Sequence, residues 1–370
     1  MRNVLLLCLT ALILLGAASR LPAAPAQSRN DLLSQPSEQS GKAATSMLLD
    51  VTSAGKRLVA VGERGHIVYS DDNGATWTQA TVPVSVTLTS AYFATPEMGW
   101  AAGHDGVVLH TSDGGKSWVK QLDGARINEL VLEQVKHLME GASGQKLERL
   151  RFFLNDAKKG LQEGPARPLM ALWFRNVREG IVAGSFGMIL RTLDGGATWK
   201  PILDRIDNPD GFHYYGIARA GNALYLAGEA GMLFRSDDFG ESWKKLESPY
   251  QGSFFGIAAN PAGSAVVAFG LRGTIVVSVD GGRTWATVTS PTGATLSAGR
   301  FLSDGSLWLA GYDGTVLKSV DTGKRFTAIT DRFPGCTALT ETSDRNLMLV
   351  GSGGAKRVAM APSDSVKEKK

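Results

Sequence analysis

Six copies of one eight-residue pattern limit what this chain can fold into. The first copy, Ser70-Asp71-Asp72-Asn73-Gly74-Ala75-Thr76-Trp77, has the form Ser/Thr-x-Asp-x-Gly-x-x-aromatic, and the others carry their Asp at Asp113, Asp194, Asp238, Asp280 and Asp321. They close on Trp118, Trp199, Trp243, Trp285 and Phe326. The Asp-to-Asp spacings are 41, 81, 44, 42 and 41, so one unit recurs throughout and the doubled gap marks an insertion inside a unit. A repeat of this length specifies an array of supersecondary units rather than a mixed enzyme fold.

The residue choices suit a self-contained β-hairpin corner. The Asp is expected to accept backbone N–H groups two residues on, the Gly to supply positive φ, and the aromatic ring to cover the turn from the next strand. The pattern resembles the Asp-box, or bacterial neuraminidase repeat. That resemblance implies a structural staple for Asp72, Asp113, Asp194, Asp238, Asp280 and Asp321.

A Gly-x-x-Gly turn flanked by apolar alternation precedes every box, beginning at Gly62, Gly103, Gly184, Gly228, Gly270 and Gly311. A seventh, Gly351-Ser352-Gly353-Gly354, has no box after it. Each unit then reads as four strands; in the second, 89–94, 99–102, 107–112 and 117–121 are joined by hairpin turns. The fold class expected is all-β, a seven-bladed β-propeller of four-stranded antiparallel blades over residues 45–362. The strand missing from blade seven is expected from the segment around 40–44, which would close the ring and cover the sheet edge. Residues 27–44 otherwise read as flexible, and 363–370 as a disordered tail.

Antiparallel connectivity puts the Gly-x-x-Gly turns on the face where blades are linked, and the boxes on the opposite face. Arg64, His104, Asp105, Phe186, Glu229, Arg272, Tyr312 and Asp313 should therefore ring the first face. Residues 124–164, between blades two and three, change from strand alternation to helical period, with Leu130, Val131, Gln134, Val135 and Leu138 in one stretch. Leu147, Leu150, Leu154, Ala157 and Leu161 form a second stretch, so an inserted α-helical hairpin should stand beside the ring of turns.

Composition narrows the function. Arg2, the apolar run from Val4 to Ala18 and Ala24-Pro25-Ala26 before Gln27 read as a signal peptide over 1–26, which places the mature protein, soluble and monomeric, in the periplasm. Cleavage would remove Cys8 and leave Cys336 as the sole thiol, without an intrachain disulfide. The net charge of +4 includes Arg2 and Arg20 and gives no basis for nucleic-acid binding. There is no clustered His/Cys set for a metal, no Gly-x-Ser-x-Gly elbow and no phosphate loop, so no metal and no cofactor is expected.

Asp-boxes invite a sialidase reading, which would require an Arg cluster, a Tyr with a Glu partner and an early Phe/Tyr-Arg-Ile-Pro motif. Phe174-Arg175-Asn176-Val177 departs from that motif at two positions. His213, Tyr214 and Tyr215 are the inner-strand candidates, without an evident Glu partner. A glycan-acting hydrolase or lectin is the alternative to the reading favoured here, a non-catalytic protein-binding propeller.

One position recurs immediately before each box: Tyr69, His110, Arg191, Arg235, Val277 and Lys318. The run from Gly187 through Arg191 and Asp194 to Trp199 resembles the repeat of the photosystem II assembly and stability factors, and the likeness covers about residues 45–360 outside the insertion. It implies an exported seven-bladed propeller that holds a protein partner during assembly of a membrane complex. It also implies that Arg191, Arg235 and Lys318 occupy that family's basic position, which Tyr69 and Val277 do not. The binding residues expected are Arg191, Arg235, Lys318 and His110 on the third strands, with Arg64, Phe186, Arg272 and Tyr312 on the turn face. The partner expected is an inner-membrane complex, such as a transporter or, in a phototroph, photosystem II.

Overall fold

The eight-residue pattern locks the turn between the third and fourth strands of a sheet by a more exact division of labour than its Asp alone suggests. In the third copy the Thr192 hydroxyl donates to Asp194 Oδ1 at 2.8 Å and accepts the Gly196 N–H at 2.9 Å. Asp194 in turn accepts the Thr198 N–H at 2.9 Å and the Thr198 hydroxyl at 2.6 Å. The carboxylate thus reaches four residues on. The N–H two residues on belongs to the buried hydroxyl that opens the motif, a correction to the expected turn chemistry. The same contacts recur around Asp72, Asp113, Asp238 and Asp280, while at Asp321 the Arg325 guanidinium replaces the second hydroxyl.

In this computed structural model residues 30–329 and 333–360 are described. The leader expected over 1–26 and the tail expected over 363–370 lie outside the described residues. Six four-stranded antiparallel sheets and one three-stranded sheet are arranged as blades of a propeller. Their first strands are Leu48–Ala54, Leu88–Phe93, Leu169–Phe174, Tyr214–Ala220, Phe254–Ala259, Leu296–Phe301 and Cys336–Glu341, each packed against the next and the last against the first. The core is layered between blades. Val59, Val61, Ala101, Leu109 and the box ring Trp118 form the layer joining blades one and two, and Ile181, Ile189, Leu226, Phe234 and Trp243 form the one joining three and four.

Ring closure departs from expectation. Residues 40–44 do not add a strand to blade seven; the chain turns at Ala43–Thr45 and packs beside the third strand of that blade, Gly354–Val358. The reason is the anchoring of what precedes it. Helix α1 (Asn30–Ser34) buries Leu33 against Val82, Val84 and Val86, and Ser37 N–H and Ser85 N–H bond the Val82 and Leu32 carbonyls. The Gln79 amide then holds the Glu38 carbonyl and the Ser40 N–H, so the segment is committed to blade one before it reaches blade seven. Closure rests instead on side-chain bonds such as Thr337 hydroxyl to the Leu48 carbonyl at 2.7 Å. The open edge carries Lys356 and Arg357, charges that oppose pairing with another sheet.

The insertion is the expected helical hairpin. Helix α2 (Gly124–Met139) is capped by Asp123 and α3 (Gly144–Glu163) runs back against it. Ile127, Val131, Val135, Leu150 and Ala157 extend the core layer between blades two and three. Inside the pair, Asn128 donates to the Gly160 carbonyl at 2.8 Å.

Two predictions follow from the clip. Thr192→Val keeps the shape of a side chain that is 1% exposed but leaves the buried Gly196 N–H unpaired. It should destabilise the protein by about 1–3 kcal/mol in urea unfolding, and no shift of the midpoint would refute the anchoring role of the hydroxyl. Hydroxyl and backbone donors hold Asp72 down to about 2, bonds outweigh burial to hold Asp113 at about 2, and the Arg325 guanidinium does the same for Asp321. Because the folded values lie below the ordinary 3.8, this stabilisation is complete above that pH and is lost as pH falls towards 2. Tryptophan fluorescence during acid titration should report loss of structure in that window.

Candidate protein-binding face

Every first strand carries a bulge directly after its first residue, so that residue two is left out of the pairing register. A bulge re-aims the unpaired side chain, here into the mouth of the central channel on the turn face. The seven residues so placed are Leu49, Thr89, Met170, Tyr215, Phe255, Ser297 and Thr337. Six of them fall into two sectors, and Leu49 of blade one is a lone apolar residue between two of the hydroxyl-bearing blades. Thr89, Ser297 and Thr337 donate their hydroxyls to the Leu169, Cys336 and Leu48 carbonyls of the following blade, at 2.6, 2.6 and 2.7 Å. Met170, Tyr215 and Phe255, on blades three to five, are large side chains that present apolar surface to the opening.

The aromatic sector extends outwards. Tyr215 lies 5.1 Å from Phe255 and 6.2 Å from His213, which lies 4.9 Å from Phe186 in an edge-to-face contact. Phe186 occupies the turn position that has positive φ in five blades, shared with Arg64, Asp105, Ala230 and Arg272. A bulky aromatic at φ 55 is disfavoured, yet this one is 54% exposed. It is held by the Arg167 guanidinium, 5.1 Å from the ring centre, which forms a two-bond pair with Asp156 of α3 at 2.7 and 2.8 Å. The positive φ belongs to the repeat's turn; what sets this blade apart is that the turn carries an exposed aromatic ring.

Beside Phe186 a small cavity of about 80 Å³ lies between α3 and the link from blade three to four, walled by Val131, Phe153, Met188, Leu203 and Ile206. Phe152 on α3 is 56% exposed at its rim, and Tyr312 on blade six, which lines the channel, is 55% exposed. A shallow apolar track with so small an enclosed volume suits an extended chain, not an enclosed drug-sized ligand. Among the described residues no group of three His, Cys, Asp or Glu could hold a metal.

His213, Glu229 and Tyr215 bring polar groups to the mouth. Glu229 accepts the His213 N–H at 2.8 Å, a partner that strand spacing did not reveal. Burial, reinforced by Glu229 and Tyr312, pushes the Tyr215 phenol up to about 12. A nucleophilic tyrosine needs the opposite shift.

The sequence-derived residues separate into two sets. Arg64, Phe186, Arg272 and Tyr312 lie on the turn face and are exposed. Arg191, Arg235, Lys318 and His110 lie on third strands and are half-buried between blades. Arg191 pairs with Glu241 in the neighbouring box at 2.5 Å, and Arg205 joins the same carboxylate. Arg235 bonds Asp237 at 2.6 Å and the Gly281 carbonyl of the next box. Lys318 lies over Trp308 at 5.2 Å, and burial lowers the pKa of His110, which packs 5.0 Å from Trp100. The structure does not bring these four into one basic ring. The channel-mouth residues Met170 and Phe255 went unrecognised because the bulge that exposes them leaves no mark in the apolar alternation.

Fold and face together define a seven-bladed Asp-box propeller with an asymmetric aromatic channel mouth. A model of the "Photosynthesis system II assembly factor YCF48" family matches residues 30–128 and 165–303, and the chain belongs to that family. The gap in the match falls on the helical hairpin, from within α2 to the end of α3. No curated protein matches the chain. Among solved structures it is similar to YCF48 bound to D1 peptide, with 18% identity, TM-score 0.62 and coverage of 86% of this chain and 95% of that one. It is also similar to YCF48 from Cyanidioschyzon merolae, at 16% identity, TM-score 0.59 and coverage of 87% and 97%. The WD40 beta propeller domain of Doa1 is similar at 13% identity, TM-score 0.59 and coverage of 88% and 94%. At these identities the likeness to solved structures shows the fold.

The two sets of residues should respond differently to substitution. Phe186→Asn, a residue that tolerates positive φ, should leave unfolding free energy within about 0.5 kcal/mol of the parent. Arg191→Ala, which strands the Glu241 carboxylate beside Arg205 alone, should cost about 1–2 kcal/mol. Denaturant unfolding of both variants decides; a strongly destabilised Phe186→Asn would make Phe186 a structural residue.

Proposed function

We propose that this protein is an exported, non-catalytic propeller that holds a segment of a protein partner on its turn face and thereby assists assembly of a membrane complex. The observation that carries the reading is the asymmetry of the channel mouth. Three blades close it with hydroxyl-to-carbonyl bonds, whereas blades three to five turn Met170, Tyr215 and Phe255 towards it and continue into exposed Phe186. Aromatic rings of this kind give large contact area at low conformational cost and are favoured anchors in interfaces. Arg272, on the turn of blade five, supplies charge at the rim of the track.

Family membership supports a protein partner, and one similar solved structure carries a D1 peptide. The complex served is photosystem II in a phototroph and an inner-membrane transporter elsewhere. The basic, apolar and small-residue order of the first 26 residues supports periplasmic residence, and the mature chain is read as a soluble monomer.

The test is site-specific photocrosslinking in intact cells, with a benzoylphenylalanine introduced in turn at Phe186, Tyr312 and Lys318. The first two positions should give an adduct with a membrane-complex subunit, and Lys318 should give none. Adducts only from Lys318, or none from the turn face, would overturn the reading. Mass measurement of the purified protein should find an N-terminus at Gln27, and an intact Met1 in the cytoplasmic fraction would refute export.

A further inference from the structure

The other end of the channel has a different chemistry. First strands run from the turn face towards the box face, so residues late in those strands line the box end. There Arg219 of blade four and Arg300 of blade six line the same channel as Tyr92 of blade two. Arg300 makes no ion pair or hydrogen bond among the described residues, and Arg219 uses only its Nε, which donates to the Gly221 carbonyl at 2.6 Å. Burial raises the pKa of the Tyr92 phenol and the Arg300 and Arg219 charges oppose that rise, so both cations lie within electrostatic reach of its hydroxyl.

Two acidic groups lie nearby, and each has hydrogen-bond donors of its own. Glu341, on the adjoining polar hollow lined by Lys56 and Arg300, is held by the Ser303 N–H and hydroxyl at 2.8 and 2.7 Å. Asp50 is the carboxyl in the channel wall. It accepts N–H bonds from Ala91 and Val51, each at 2.8 Å, and burial pushes its pKa up to about 6 despite those bonds and the Arg300 charge. Both guanidinium groups are exposed to a lumen of about 790 Å³, which leaves them open to an anion.

We propose that the box end of the channel binds a small organic polyanion bearing carboxylate or phosphate groups, gripped by Arg219 and Arg300 with the Tyr92 hydroxyl as a third donor. Planar guanidinium forks match both anion geometries. The lumen is large enough for a metabolite-sized ligand. This site lies at the opposite end of the channel from the aromatic face and stands independently of the partner segment.

Calorimetric titration of the full mature protein with sulfate, inorganic phosphate and citrate at matched ionic strength tests it. One saturable site is expected, with citrate or phosphate bound more tightly than sulfate if an organic or protonatable anion is the natural class. An Arg219→Gln/Arg300→Gln variant should bind at least about tenfold more weakly, the loss expected for charge-assisted bonds, while Lys136→Gln on α2 should bind normally. Thermal midpoints without ligand report whether the double variant remains folded; Arg219→Gln and Arg300→Gln singly provide the reading if it does not. Sulfate keeps its charge between pH 7.5 and 5, so it should bind more tightly at the lower pH as Asp50 takes up a proton and stops competing for Arg300. Tyr92, Tyr215 and Tyr312, the other titratable groups lining the channel, stay protonated throughout that range. Asp50→Asn should remove the pH dependence. No saturable binding of any of the three anions, or equal binding by the double variant, would overturn the site, and a pH dependence retained in Asp50→Asn would overturn the part assigned to Asp50.

Discussion

The structure depends on a clip that works in two directions. Within a blade, the opening hydroxyl and the Asp of each box close the turn between strands three and four. Between blades, the same turn is a landing point for the blade before it. Arg57 donates to the Gly114 carbonyl at 3.0 Å, Trp100 to the Gly195 carbonyl at 3.2 Å, and Ser343 N–H to Asn73 Oδ1 at 3.0 Å where blade seven meets blade one. Every core layer lies between neighbours, so no single blade can bury its own apolar faces. A unit that is rigid only in company makes the ring cooperative. That rigidity fixes the loops of the turn face relative to one another.

The local lock was legible from sequence because every one of its partners lies within eight residues. Periodicity alone gave the number of blades, the strand order and the place of the inserted hairpin, since Asp72, Asp113 and Asp194 report the register of each unit directly. What lay beyond reach was the identity of partners across blades. Arg191 and Arg235 stand at equivalent positions in their repeats and suggest a shared basic surface. Yet Arg191 meets Glu241 and Arg235 meets a carbonyl and Asp237, because the residue facing each cation belongs to a different unit and varies from one to the next. Blade seven shows the same limit. Its missing strand was assigned to 40–44 on length, while the burial of Leu33 and the side-chain bonds of Gln79 decided where that segment went.

The candidate site was half legible for a related reason. Phe186 and Tyr312 belong to turns that any repeat alignment exposes, so they could be named. Met170, Tyr215 and Phe255 belong to strands, where large apolar residues read as core, and Tyr215 was singled out only as an inner-strand candidate for glycan chemistry. Only the bulge after the first residue of the strand turns them towards the channel. A register shift depends on how two strands pair and has no local spelling, although the contrast with Thr89, Ser297 and Thr337 at the same repeat position was present in the sequence.

That contrast shows where a repeat protein can carry function. Positions repeated from unit to unit, such as the opening hydroxyls of six blades, hold the ring and cannot discriminate between partners, because a repeated surface looks alike from every side. Specificity requires breaking the repeat. It is broken here in one connected region: the helical hairpin enters between blades two and three, its Asp156 holds Arg167 over Phe186, and the aromatic residues of blades three to five continue that line into the channel. The hairpin falls largely in the gap of the family match, and so adds to a shared fold a wall that the rest of the family model does not require. By holding Arg167 against the Phe186 ring, the insertion shapes the turn face itself as well as standing beside it.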